Sequence, residues 1–239
     1  MSANKNGLVV VARIHTEFPD KFGIPRQSGL VSSLRGEIIF EPEFRSRDAV
    51  RGLEEFSHIW LIWEFSKAKK DNYALTVTPP RLGGKEKKGV FATRAPYRPN
   101  SLGLSSVYLE EIYYDKVRGP VLVVSGADLV DGTPIYDIKP YLPYTDAHPE
   151  ASGSFGEIHK SDEIEVVFPE EERAKLPARI YESALAVLRQ DPRAAYNKKP
   201  DYVYGMSFAG YDIRFTVEED ILYVKEVIEL SKDDFIKIK

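Results

Sequence analysis

Two segments dense in proline, glycine and polar side chains interrupt the strand-like runs of this 239-residue chain: Gly89–Ser105 (GVFATRAPYRPNSLGLS) and Asp128–Asp146 (DLVDGTPIYDIKPYLPYTD). Proline fixes φ and glycine opens φ > 0, so such segments form loops that are irregular yet rigid. Around them, Leu8–Ile14, Ile59–Phe65, Ser106–Tyr113 and Val121–Ala127 are rich in Val, Ile, Tyr and Trp, with Gly, Pro or Asp nearby. That is strand composition, and short strands at this spacing predict a barrel or sandwich. Rigid polar loops on a β scaffold are where ligands are held, although each segment alone also reads as a turn with solvated charges.

No strand–helix alternation is present and no GxGxxG follows a strand, which argues against a Rossmann-type nucleotide site. Gly83-Gly84 in RLGGK lacks the spacing and the Ser/Thr of a P-loop. A short helix is expected near Ser46–Leu53. The character changes near Pro169. Glu170–Gln190 carries Leu176, Ile180, Ala184, Val187 and Leu188 at helical spacing, with acids in its first turn, and Asp191-Pro192 ends it. Tyr202, Tyr204, Met206 and Phe208 then alternate, as do Tyr211, Ile213, Phe215 and Val217, and a third run spans Ile221–Leu230. The expected organisation is a mainly β chain, a barrel domain over residues 1–168 and a small α+β domain over 169–239, with a helix against a three-stranded meander and a frayed tail from Ser231. Phe56, Trp60, Trp63 and Phe65 read as barrel core.

The chain has no cysteine, which removes disulfides, thiolate metal sites and a cysteine nucleophile. Its four histidines, at 15, 58, 148 and 159, lack metal-ligand spacing, so no metal is expected. Leu8–Ala12 is far too short to span a membrane and is followed at once by Arg13 and His15, so a cytoplasmic protein is expected. The net charge of −4 argues against indiscriminate nucleic-acid binding. Its distribution says more: Arg81, Lys85, Lys87, Lys88, Arg94 and Arg98 stand against Glu86 alone, just after Lys67, Lys69 and Lys70. Such a strip suits a phosphate-bearing partner, or is simply a solvated loop.

Four blocks, PRQSGL (Pro25–Leu30), RGLEEFSHIWLIWEF (Arg51–Phe65) and the two polar segments, resemble the TsaA-like (YaeB, TrmO) family of tRNA (adenine(37)-N6)-methyltransferases. QDPRAAY (Gln190–Tyr196) is similar to that family's C-terminal DPRxAY block. The blocks occur in family order over nearly the whole chain. Ser101 departs from the frequent RPNP and Ala194 from DPRPAY, and neither change removes a polar group. The resemblance implies a YaeB-like β-barrel that binds S-adenosylmethionine, a homodimer with the cofactor near the subunit interface, and methylation of N6-threonylcarbamoyladenosine beside the anticodon of tRNA. Readings outside it are a non-catalytic module holding S-adenosylmethionine or tRNA, a methyltransferase for another small carboxylate-bearing substrate, and a structural interaction protein.

Methyl transfer from a sulfonium needs alignment of donor and nucleophile at about 3–3.5 Å more than covalent help. A conjugated nitrogen also gains from a proton acceptor or from donors to its neighbouring carbonyl. Arg26 and Gln27 can meet an adenine edge or the methionine carboxylate. Arg94 and Arg98 are carboxylate or phosphate clamps, Arg98 with a catalytic role, and Asn100 fixes a base edge or braces its loop. His58 is either a core histidine or a cofactor contact. Asp131 can accept from ribose hydroxyls, and Thr133 caps its turn or touches the ligand. Asp137 and Lys139 share a face if their run is extended, as an ion pair or as site groups, with Asp137 the first choice for proton acceptor. Tyr141, beside the cofactor, and Tyr144, on the substrate, offer stacking faces or core packing, and Asp128 reads as a turn residue. Arg81, Lys85, Lys87, Lys88, Arg193 and Tyr196 are expected to meet tRNA, with Asp191 either beside them or merely part of a helix stop.

Overall fold

The computed structural model describes residues 7–68, 73–79, 86–154, 156, 163–193 and 202–231. Its first part holds β1 (Ala12–Thr16), β2 (Arg35–Phe40), β3 (His58–Glu64), a short pair β4 (Thr76–Val77) and β5 (Lys88–Gly89), then β6 (Leu102–Asp115), β7 (Gly119–Ser125) and β8 (Thr133–Pro140). Six of these form a closed barrel in the order β1-β2-β7-β6-β3-β8. Every pair is antiparallel, and β8 returns to β1 through Ala12–Ile135 and Ile14–Thr133. Closure leaves no open edge in this sheet.

The two-residue period sends Ile59, Leu61 and Trp63 of β3 inward, against Ile14, Ile38, Leu122, Val124 and Ile135. His58 is exposed and Trp60 is only half-buried, so Trp60 is not the core residue expected. Its Nε1 instead donates to Asp146 at 2.9 Å. Two 3-10 turns, Arg47–Val50 and Leu53–Glu55, stand where a short helix was expected. β8 lies inside the second polar segment, and a register shift against β3 between Ile62 and Trp63 breaks its alternation.

The second part contains α1 (Pro143–Asp146), β9 (Glu165–Val167), α2 (Glu170–Arg173), α3 (Ala178–Arg189), β10 (Tyr204–Phe208), β11 (Tyr211–Glu218) and β12 (Ile221–Glu229). The meander gains a fourth strand, because β9 pairs parallel to β12. The helix expected over Glu170–Gln190 is broken: Pro177, with ψ 143°, caps α3 from outside. Proline lacks the N–H for an intrahelical bond and disfavours helix in the residue before it. Ile180, Ala184, Val187 and Leu188 then pack on the sheet as one apolar face. The packing here is not local in sequence. Phe18, Val31 and Leu34, from the loop between β1 and β2, are buried in the same cluster as Met206, Phe208 and Phe215.

The barrel imposes one close approach that shapes the cleft. A Cβ on Gly103 of β6 would overlap the indole ring of Trp63, its partner across the ladder. Gly103→Ala is therefore expected to lower stability by about 1–3 kcal/mol through overpacking. Urea denaturation measures this, and an unchanged midpoint would contradict the packing described.

Candidate active site

A broad open cleft of about 2150 Å³ lies where β3 ends and β6 begins. Three segments build its walls: the loop of Pro25, Arg26 and Gln27, the irregular stretch from Phe91 to Asn100, and the β7–β8 connection with Asp128, Leu129 and Thr133. Proline at 96 and 99 restricts the second segment. In it Arg98 Nη1 donates to the Thr93 carbonyl at 3.0 Å, and Thr93 Oγ1 donates back to Val90 O at 2.9 Å. Arg94 donates to Gln27 Oε1, which joins the first two segments. Gly132, at φ +75°, turns the chain into β8, and Thr133 Oγ1 closes that turn on Val130 O at 2.6 Å. A left-handed φ of this kind suits glycine.

Among the expected site residues, the cleft collects Arg26, Gln27, Lys88, Arg94, Arg98, Asn100 and Thr133. Lys87 is exposed. Arg81, Lys85 and Tyr196 lie outside the described residues. The others are elsewhere. His58 packs edge-on to Tyr108 at 5.3 Å, and Tyr141 packs on Trp60 at 5.5 Å. This aromatic group sits at the start of β3, roughly 20 Å along the strand from Glu64 at a rise of about 3.3 Å per residue. Hydrogen bonds from Leu142 N and then Trp60 hold the nearby Asp146 carboxyl below its usual range. Tyr144 is 85% exposed, so it is not core.

Asp131 braces β1, accepting from Thr16 N at 3.2 Å and lying 3.1 Å from His15 Nδ1. Asp137 and Lys139 do share a face of β8, and they pair with each other at 2.9 Å without lining the cleft. Arg193 is 4% exposed and makes a two-pronged pair with Asp191, at 2.8 and 2.9 Å, which raises its pKa further. The pair ties the guanidinium into the fold.

Sequence reading passed over two carboxylates that do line the cleft, Glu64 and Asp128. Glu64 is buried and accepts from the Tyr136 hydroxyl at 2.5 Å. Asp128 is half-buried and accepts from Ser105 Oγ at 2.6 Å, while Ser105 Oγ accepts from Trp63 Nε1 at 2.9 Å. Burial pushes the Asp128 carboxyl above its ordinary pKa, against the Ser105 hydrogen bond and the Arg94 charge. The run DLVDGT resembles a turn, and the contacts that give Asp128 its character come from residues far away in sequence.

Comparison with known proteins decides the family. The family model described as the tRNA-methyltransferase O N-terminal domain matches residues 13–147, and that of the TrmO C-terminal domain matches residues 161–230. The chain belongs to the TrmO family. It is 40% identical over 214 residues to the tRNA (adenine(37)-N6)-methyltransferase of Escherichia coli K12, covering 86% of this chain and 91% of that one. It is 39% identical over 213 residues to a putative S-adenosylmethionine-dependent methyltransferase, RcsF, of Pseudomonas aeruginosa, covering 86% and 90%. A crystal structure of TrmO from Pseudomonas aeruginosa superposes with a TM-score of 0.73 at 33% identity, covering 92% of this chain and 98% of that chain. The TrmO architecture of barrel plus small sheet is thus present over most of this chain.

The Arg193–Asp191 pair yields a prediction. Arg193→Ala leaves a partly buried carboxylate without its partner, at an expected stability cost of about 3 kcal/mol. Thermal melting should fall while the salt dependence of tRNA binding keeps its slope. A flatter slope with unchanged melting would make Arg193 a phosphate contact.

Proposed function

We propose that this protein is an S-adenosylmethionine-dependent methyltransferase that N6-methylates threonylcarbamoyladenosine at position 37 of tRNA, next to the anticodon. The observation that carries this reading is the pair Arg94 and Arg98 on the wall of one cleft, in a chain of TrmO architecture over most of its length. The methionine carboxylate and the threonyl carboxylate of the modified base each need a cation, and guanidinium binds carboxylates two-pronged. The donor set also fits the rest of the cofactor. Ile24 supplies apolar wall for an adenine ring, and the amides of Gln27 and Asn100 can meet its edge. When bound, S-adenosylmethionine supplies the activated methyl group.

In this reading Arg26, Gln27 and Arg94 hold the cofactor, and Arg98 holds and polarises the modified base. Lys87 and Lys88, with Arg81 and Lys85 of the same strip, draw in the tRNA phosphates. Catalysis belongs to residues 1–168, and residues 169–239 support it. A homodimer fits the exposed apolar side chains beside the cleft, Tyr73, Leu75, Phe91 and Leu104, since an apolar patch of this kind marks an interaction surface. Tyr73, Phe91 and Leu104 line the cleft itself, so a second copy would complete its wall. A cytoplasmic location follows from the proposed tRNA substrate. No helix among the described residues is long and apolar enough to cross a membrane.

The test is transfer of labelled methyl from S-adenosylmethionine to tRNA that carries or lacks threonylcarbamoyladenosine. Label should enter only the modified tRNA. Arg98→Ala should lower kcat/KM about 10- to 100-fold, the range expected for losing a charge-assisted hydrogen bond. An unaffected rate for that variant at saturating cofactor and tRNA would contradict the role of Arg98. Cofactor binding without any turnover would favour a non-catalytic module.

A further inference from the structure

We propose that Asp128 is the catalytic base, taking the proton from the acceptor nitrogen as the methyl group arrives. This rests on the methyl-transfer reading above and adds the residue that does the proton work. The acceptor nitrogen carries one hydrogen before reaction and none in a neutral product, so a base must receive it. As the nitrogen–methyl bond forms, the sulfur–methyl bond breaks, the sulfonium becomes a neutral thioether, and the proton passes to an Asp128 carboxylate oxygen and then to water.

Three observations single out Asp128. Among the described residues, Glu64 and Asp128 are the carboxylates lining the cleft, and Glu64 is 7% exposed whereas Asp128 is half-buried. Second, the direction of its hydrogen bonding is fixed. The Trp63 indole can only donate, so it occupies a Ser105 lone pair and leaves the Ser105 hydroxyl proton for Asp128. That relay holds the carboxylate as an acceptor with a set orientation, the preorganisation that efficient proton transfer needs. Third, the groups facing Asp128 balance its basicity. Ser105 on β6, Arg94 in the loop after β5, Ser28 N in the β1–β2 loop and its own backbone N–H favour the ionised form, and burial opposes them with the largest effect. A carboxylate raised in this way is a stronger base than a solvated one.

The test uses the full-length protein, S-adenosylmethionine and tRNA bearing threonylcarbamoyladenosine, with Asp128→Asn and Ser105→Ala. For Asp128→Asn, kcat should fall about 100-fold or more while the S-adenosylmethionine dissociation constant, read by calorimetry, stays within about threefold. The wild-type rate should rise with pH as Asp128 ionises, and this acidic limb should vanish in Asp128→Asn. Carbon-13 NMR of labelled aspartate in the cofactor-free protein should show Asp128 titrating above ordinary aspartates. It should titrate higher still in Ser105→Ala, with the kinetic limb moving alongside, because the lost hydrogen bond favoured the ionised form. An unchanged kcat for Asp128→Asn, or a loss confined to cofactor binding, overturns the assignment. A wild type that moves no methyl to tRNA overturns the activity reading and this assignment together. Should Asp128→Asn fail to fold, the limb in Ser105→Ala decides: a limb that does not move overturns the proposal.

Discussion

The ladder between β1 and β8 closes the sheet, and the cleft depends on that closure. The β6–β7 ladder brings the β7–β8 connection beside the start of β6, where Asp128 accepts from Ser105. The β1–β2 loop lies over the same cleft, where Gln27 accepts from Arg94. The energetic basis is a dry barrel interior, with Ile14, Ile38, Ile59, Leu61, Leu122 and Ile135 fully buried; each such side chain contributes on the order of 1.5–3 kcal/mol.

The second domain is tied into the cleft rather than appended to it. The β1–β2 loop sinks Phe18 against Phe208, with ring centroids 5.0 Å apart, and Phe22 stacks on Tyr204 and Phe215. Glu17 pairs with Arg179, Ser183 donates to Ser33 O at 3.2 Å, and Arg26 donates to Asp191 O at 3.5 Å. Lys67 anchors the loop from the barrel side through Pro19 O at 2.5 Å. The loop that presents Arg26 and Gln27 is therefore shaped by packing against the C-terminal sheet. The ordering entropy of a loop this long is offset by burying its aromatic residues.

What was legible in the sequence follows from how local each feature is. The strands β3, β6 and β7 announce themselves by composition, and Pro and Gly mark the loops, so the cleft residues Arg26, Gln27, Arg94, Arg98, Asn100 and Thr133 were named in advance. β8 was masked by its prolines and by the register shift at Ile62/Trp63, and three-residue β9 is too short to show a period. Pro177 splits a helix whose apolar spacing runs on regardless. What stayed hidden concerns residues whose partners are remote. Asp128 looked like a turn until burial and Ser105 gave it another character. The shared core of Phe18, Val31 and Leu34 with the second sheet could not be read from any window of sequence.

The most direct measurement is a crystal structure of this protein soaked with S-adenosylmethionine. The account predicts the ligand in the cleft between β3 and β6, its carboxylate within hydrogen-bond distance of Arg26 or Arg94 and its methyl group directed toward open space beside Asp128. A ligand bound instead at the other end of β3, around His58 and Tyr141, would contradict it.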